Sequence, residues 1–232
     1  MQQSPAAQSA RPNADPASYD AAAVLRHIAH ELRQPLSALE SITYYLSIVL
    51  PRTESKARMQ VLKLQEQVHQ IDWILTDAIH FLQASPPQLE LLDLNEIVSR
   101  SIAEWSRAEG LQAHLKLADD LPPVRLDLGQ AQHLLHNLLF FFQRISTAGP
   151  AVAVSTSATF EDVRLEVSAT GGEFRAGELE SLFEPFHPQH PPGSGLALAS
   201  VRRIAEGHGG RVDVQPMPGG GVNLAVAFPR PA

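Results

Sequence analysis

Between residues 25 and 49 the apolar side chains keep one register. Leu25, Ile28, Leu32, Pro35, Leu39, Ile42, Leu46 and Val49 follow one another at alternating spacings of three and four. Only Pro35 in that row is a poor helix former. After a break at Pro51, Arg52 and Thr53 the same spacing returns in Val61, Leu64, Val68, Ile71, Leu75, Ala78 and Leu82. A strand, whose side chains repeat every two residues, cannot satisfy such rows, whereas a helix places each on one face. Two rows joined by a short break therefore predict two long helices packed coiled-coil fashion as a hairpin. A lone two-helix hairpin buries too little apolar surface to be stable. The rows are expected to pair with a second copy, giving a four-helix bundle in a homodimer.

The texture changes after SPPQ at 85–88. DLNEIVSRSIAEWSR (93–107) is patterned as an amphipathic helix, HLKLA (114–118) as a strand and QAQHLLHNLLFFFQRI (130–145) as a strongly apolar helix. AVAVSTSA and VRLEVSAT follow as strands around the turn TFED. ALASVRRIAEGHGG (197–210) is a helix ending on glycines, and RVDVQP and VNLAVAF form a hairpin around PGGG. Helices first, then helices mixed with antiparallel strands, predict an α+β chain: a helical hairpin followed by an α/β sandwich. The expected divisions are a Gln/Ser/Ala/Pro-rich disordered tail (1–15), the hairpin domain (16–84), a linker (85–92) and the sandwich domain (93–232).

Composition narrows the function. A net charge of -7 argues against a nucleic-acid surface and against attraction to anionic lipid. With no cysteine, disulfides and thiolate metal sites are excluded, which is compatible with the cytoplasm. No apolar run approaches the roughly 20 residues that span a bilayer, and the first residues carry no hydrophobic signal core. A cytoplasmic protein is expected, with neither membrane nor nucleic acid among its partners.

The segment HIAHELRQPLSALE (27–40) carries the chemistry. The first row places His30 opposite the apolar seam, on the exposed side of its helix. A buried core histidine is thereby disfavoured, and a plain surface histidine remains the competing reading. An exposed imidazole near neutral pH is partly unprotonated and acts as a nucleophile or phosphate acceptor. Glu31 adjoins it and is placed to hold or deprotonate the ring. Arg33, three residues on, is placed to steady a phosphoryl oxygen, and Gln34 at i+4 shares the face of His30. Pro35 removes the hydrogen bond to the carbonyl of Glu31 and is expected to bend the helix there. His27 and His30, two histidines on one helix without an evident third ligand, do not make a metal site.

HELRQPLSALE resembles the phosphoacceptor motif of bacterial two-component histidine kinases, in which a histidine of a dimeric hairpin takes phosphate from ATP. DLPPVRLD (120–127), HNLL (136–139), LFEPF (182–186) and GSGLALASVRRIAEGHGG (193–210) are similar, in order and spacing, to the ATP-binding domain of the same enzymes. The likeness covers roughly residues 20–230, and several ordered motifs are more specific than any one alone.

The resemblance implies a nucleotide site formed by Asn137, Arg144, Gly171, Gly193 and Gly195, and this sequence departs from it at named positions. On the helix of Asn137 the family carries a second asparagine, a magnesium ligand, where Phe141 stands here. A phenyl ring cannot coordinate a hard cation. In ATGGE (169–173) Ala169 replaces the aspartate that binds adenine, and Glu173 replaces a glycine. Ala197 stands at a third glycine, and His190 at a position where members with a short lid often have lysine. The remaining glycines alone are also what a tight turn before a helix requires. The phosphoacceptor turn, by contrast, is intact.

Three functions follow. The first is a phosphotransfer protein that exchanges phosphate between His30 and the aspartate of a response-regulator receiver domain, with autophosphorylation weak or lost and no tightly bound cofactor. A related phosphatase action would use Gln34 to orient water. The second is a divergent kinase using Mg-ATP through Asn137, with Arg144 and Arg202 or Arg203 near the phosphates. The third is a non-catalytic dimer that binds a kinase or regulator, which would tolerate His30→Ala where the others would not.

Overall fold

The computed structural model describes residues 21–82, 85–146, 151–172, 174, 179–187, 190, 195–218 and 220–231. The tail expected over 1–15 lies outside the described residues. Helix α1 (Ala21–Val49) runs unbroken through Pro35, and α2 (Ser55–Leu82) returns beside it. The turn between them is tied by Arg58, whose guanidinium donates to the carbonyls of Ser47 and Leu50 at 3.1 and 3.0 Å. These are carbonyls at the end of α1 that have no partner within the helix.

The hairpin's own contact is narrower than the predicted rows. Ala29, Leu36 and Thr43 of α1 are buried, as are Val61 and Val68 of α2, so within each helix the ridge repeats every seven residues. Most of the predicted seam stays open in the single chain: Ile28, Leu32, Leu39, Ile42, Val49, Leu64, Ile71 and Leu82 are all exposed, Ile42 to 55%. Two helices can offer each other only one ridge. The wider apolar stripe needs further helices to cover it.

Strand β1 (Glu90–Leu92) comes out of the segment assigned to the linker and pairs antiparallel with β3 (Val124–Leu126). The linker is stitched down as well. The Gln88 N–H donates to Asp127 Oδ2 at 2.9 Å, and Gln130 Nε2 to the Ser85 carbonyl at 3.2 Å. Residues 90–92 are thus held by backbone pairing to residues 124–126.

Helix α3 (Leu94–Glu109) starts on the Asp93 carboxylate, which accepts from the N–H groups of Asn95 and Glu96, and ends on Gly110 at φ +67°. Strand β2 (Gln112–Lys116), helix α4 (Leu128–Ile145), β4 (Ala151–Ala158), β5 (Asp162–Ala169), a short 3-10 helix (Glu180–Phe183), α5 (Ala197–Gly207), β6 (Arg211–Pro216) and β7 (Val222–Pro229) complete the chain. The five-stranded sheet has the order β2-β4-β5-β7-β6. Its β2–β4 pair is parallel and the rest antiparallel. Because β3 and α4 lie between β2 and β4, the chain crosses over and re-enters in the same direction. The core forms between this sheet and the helices, with Leu134, Leu138, Phe141, Phe142, Leu165, Val226 and Leu198 at 0–1% exposure. The α/β sandwich after a helical hairpin stands as the sequence predicts.

His208 ties the end of α5 to the start of α4. Its Nε2 accepts from the N–H of Asp127 at 3.0 Å, so the ring proton is on Nδ1, which donates to the Ile204 carbonyl at 2.8 Å. Gly221, in the PGGG turn, has φ +101°, and a Cβ there would lie 2.2 Å from the Ala169 carbonyl oxygen. Only glycine fits that approach.

Candidate functional site

His30, Glu31 and Gln34 are all exposed on α1, while Ala29 beside them is buried against α2. The histidine turn thus presents its ring outward from a helix that is fixed on its other side. Arg33 is engaged across the hairpin: Nε lies 3.3 Å from Asp72 Oδ1, and Nη2 donates to Thr76 Oγ1 at 3.0 Å. In the closed hairpin Arg33 therefore sets the height of α1 against α2. Its guanidinium is held by α2 and not left free for a phosphoryl oxygen. Among the described residues no group of three or more His, Cys, Asp or Glu side chains is placed to hold a metal ion.

The residues expected at the nucleotide lie on α4 and beyond. Asn137 is 0% exposed, and its Nδ2 donates to Asp77 Oδ1 of α2 at 3.1 Å. Its own Oδ1 is buried without a hydrogen-bond partner. Phe141, one turn on, is also 0% exposed and meets Phe142 edge-on, with ring centroids 5.6 Å apart. Where the resemblance calls for a magnesium ligand there is packed hydrocarbon. Arg144 lies with its guanidinium carbon 4.5 Å from the centre of the Phe140 ring. Ala169, where the resemblance calls for an adenine-binding aspartate, is buried at 5% exposure.

Gly171 has φ +141°. Gly193 and Glu173 lie outside the described residues. The Gly195 carbonyl accepts from the Phe186 N–H at 2.6 Å, and a Cβ on Gly195 would lie 2.9 Å from the Phe186 ring. Phe186 itself has φ +59°, the one non-glycine positive φ among the described residues. For a bulky side chain that conformation is strained, so the strap to Gly195 holds it in place. His190 is bound to the Leu182 carbonyl at 2.6 Å, and burial pushes its imidazole below the ordinary value. Arg202 pairs with Glu180 at 2.6 Å and stacks 3.8 Å over Phe183. Arg203 donates to the carbonyls of His80 and Phe81 and stacks 4.7 Å from the Phe81 centroid. Both arginines have protein partners in this arrangement.

A cluster that the sequence did not point to joins the two halves. Asp77, 4% exposed, gathers His133 Nε2 at 2.9 Å, Asn137 Nδ2 at 3.1 Å and Ser200 Oγ at 2.8 Å on one oxygen. Trp73 lies 5.3 Å from the His133 ring and 5.6 Å from that of His136, and His80 stacks on His133 at 4.6 Å. Burial, then the neighbouring His133, pushes the His80 and His136 imidazoles below their ordinary value. The available signal was Asp77 itself, a lone acid in the apolar run ILTDAI. A carboxylate placed so is either exposed or paired.

Residues 127–232 match the family described as histidine kinase-, DNA gyrase B-, and HSP90-like ATPase. Sensor histidine kinase ZraS of Escherichia coli (strain K12) is 25% identical over 206 residues, which are 87% of this chain and 44% of ZraS. Signal transduction histidine-protein kinase BaeS of the same strain is 28% identical over 215 residues, 87% of this chain and 45% of BaeS. The chain thus spans less than half the length of these relatives. Among solved structures, full-length ShkA in complex with AMPPNP superposes with a TM-score of 0.66 at 23% identity, covering 90% of this chain and 46% of ShkA. The mycobacterial sensor histidine kinase MprB gives 0.53 at 26% identity, covering 62% of this chain and 99% of that one. Fold, order of elements and likeness along the chain agree: the chain is similar to sensor histidine kinases, with a helical hairpin followed by a domain that matches the ATPase family over residues 127–232.

Proposed function

We propose that this protein works as a histidine phosphotransferase on a kinase scaffold. His30 exchanges a phosphoryl group with the aspartate of a response-regulator receiver domain, and ATP-dependent autophosphorylation is weak or lost. In the transfer a ring nitrogen of His30 attacks phosphorus, the P–N bond forms as the P–O bond to the aspartate breaks, and the carboxylate leaves. The receiver brings its own Mg²⁺, so no metal is needed on this chain. The observation that carries the reading is the contrast between the two halves. His30 is exposed on an intact phosphoacceptor turn, while Phe141 is fully buried where a magnesium ligand would be needed.

The exposed apolar stripe of α1 and α2 supports a homodimer that closes over Ile28, Leu32, Leu39, Ile42, Leu64 and Ile71. Tyr44 and Ile48, exposed four to five turns beyond His30 and close to its face of α1, give a receiver an apolar foothold.

An ATP-dependent kinase is the second reading, favoured by one observation: the buried Oδ1 of Asn137 has no hydrogen-bond partner. An unsatisfied buried oxygen calls for a cation, a water or a donor. Calorimetry with ATP and Mg²⁺ on the whole chain decides between them. Millimolar or absent binding supports the phosphotransferase; micromolar binding with acid-labile phosphate on His30 supports the kinase. Retained signalling by His30→Ala would overturn both.

A further inference from the structure

Seen from the ATPase-type domain, Asp77 is a ligand. Three donors from two helices converge on a single carboxylate oxygen: His133 and Asn137 from α4, and Ser200 from α5. His133 and Asn137 are four residues apart and so share one face of α4. Since Oδ1 accepts, the Nε2 of His133 carries the proton. His133, Asn137 and Ser200 are themselves at 9, 0 and 2% exposure, so the donors stand in a buried, built site. A convergent set of buried donors is the arrangement that binds an oxyanion, and its hydrogen bonds to a charged acceptor are of the stronger kind.

Three residues after Ser200, Arg203 makes a second attachment. It donates to the carbonyls of His80 and Phe81, which close α2 and have no helical partner of their own. Every one of these contacts falls on the last ten residues of α2, from Trp73 to Leu82. The docking height is fixed relative to His30, because Arg33, one turn beyond His30, bonds to Thr76, the residue before Asp77.

We infer that Asp77 is an interdomain latch: its carboxylate occupies an oxyanion site on α4 and α5 and so holds the ATPase-type domain against the hairpin at the level of His30. While the latch is closed, the amide of Asn137 is committed to Asp77 and cannot turn to an incoming phosphate. When it opens, the domain is released from α2 and the three donors are freed together. This holds whether His30 takes its phosphate from a receiver or from ATP, so failure of either chemistry leaves the latch standing.

The chain has no cysteine, so Lys63→Cys on α2 and Glu161→Cys in the β4–β5 turn give a unique pair for spin labels. The labelled chain is diluted into excess unlabelled chain and the distance distribution is read by pulsed electron resonance. One narrow distance is expected for the parent. Asp77→Ala should broaden it and lengthen its mean, and Ser200→Ala, which removes one donor of three, should broaden it in part. A distribution equally narrow in Asp77→Ala would overturn the latch. If that variant lacks a cooperative unfolding transition, Asp77→Asn and Ser200→Ala decide instead: broadening in both supports the latch, and parent-like widths in both refute it.

Discussion

Phe141→Asn restores the residue that the kinase resemblance calls for, and the structure says it should fail. The side chain has no exposure and packs edge-on to Phe142 inside α4's apolar face. Removing a buried phenyl ring costs about 3–5 kcal/mol in lost transfer energy and residual cavity. Asparagine refills part of that volume but brings an amide whose unmet hydrogen bonds cost about 1–3 kcal/mol more. A loss of about 4 kcal/mol or more follows, a large share of the roughly 5–15 kcal/mol that holds a domain folded. The assay is equilibrium urea unfolding of the whole chain followed by tryptophan fluorescence. Trp105 reports on this domain through its contacts with His136 and Phe140. Phe141→Leu, which stays apolar, should cost much less than the asparagine variant. The asparagine variant should also gain no affinity for Mg-ATP. If it unfolds within about 1 kcal/mol of the parent, the position is not packed as described.

Gly221→Ala should lower stability by more than about 2 kcal/mol, measured as a fall in melting temperature, because φ there is +101° and the new Cβ would strike the Ala169 carbonyl. The His80 and His136 imidazoles are held below the ordinary 6.5, so just below pH 6.5 the unfolded chain binds more protons than the folded one. Their stabilisation is fully present above pH 6.5 and declines as pH falls through the depressed folded values. The urea midpoint should therefore drop between about pH 7.5 and 5; a midpoint that rises over that range would contradict the assignment. Arg33→Ala should change stability by less than about 1 kcal/mol, since the Arg33–Asp72 pair is about half exposed on both sides. Ile42→Glu should shift the sedimentation coefficient from dimer to monomer, because it puts a charge in the open stripe.

Much of the architecture is legible in the chain because the relevant signals are local. The three-four rows give both long helices, and alternation gives β4, β5, β6 and β7. Strands β1 and β3 are three residues each, too short for a period to show, so the sequence predicts no strand at ELL. The seam was legible as apolar, but which of its residues face the partner helix was not. That depends on Ala29 and Thr43, which lie outside the row, and on how few residues two helices share. His30 could be placed on the open side from its angle to the seam. The Asp77 cluster could not, since its partners are 56, 60 and 123 residues away and nothing in the local sequence brings them together. Arg33 shows the same limit: its chemistry suggested a phosphate, whereas tertiary contact gives it to Asp72 and Thr76.

On the proposed function, His30 exchanges phosphate with a receiver domain and takes little or none from ATP. The direct measurement is to offer the whole chain labelled phosphate from both sources, Mg-ATP in one reaction and a phosphorylated receiver domain in the other, with His30→Ala beside each. Acid-labile label that appears on the chain only from the receiver, and vanishes in His30→Ala, is the predicted result. Label that accumulates on His30 from Mg-ATP as fast as from the receiver would contradict it.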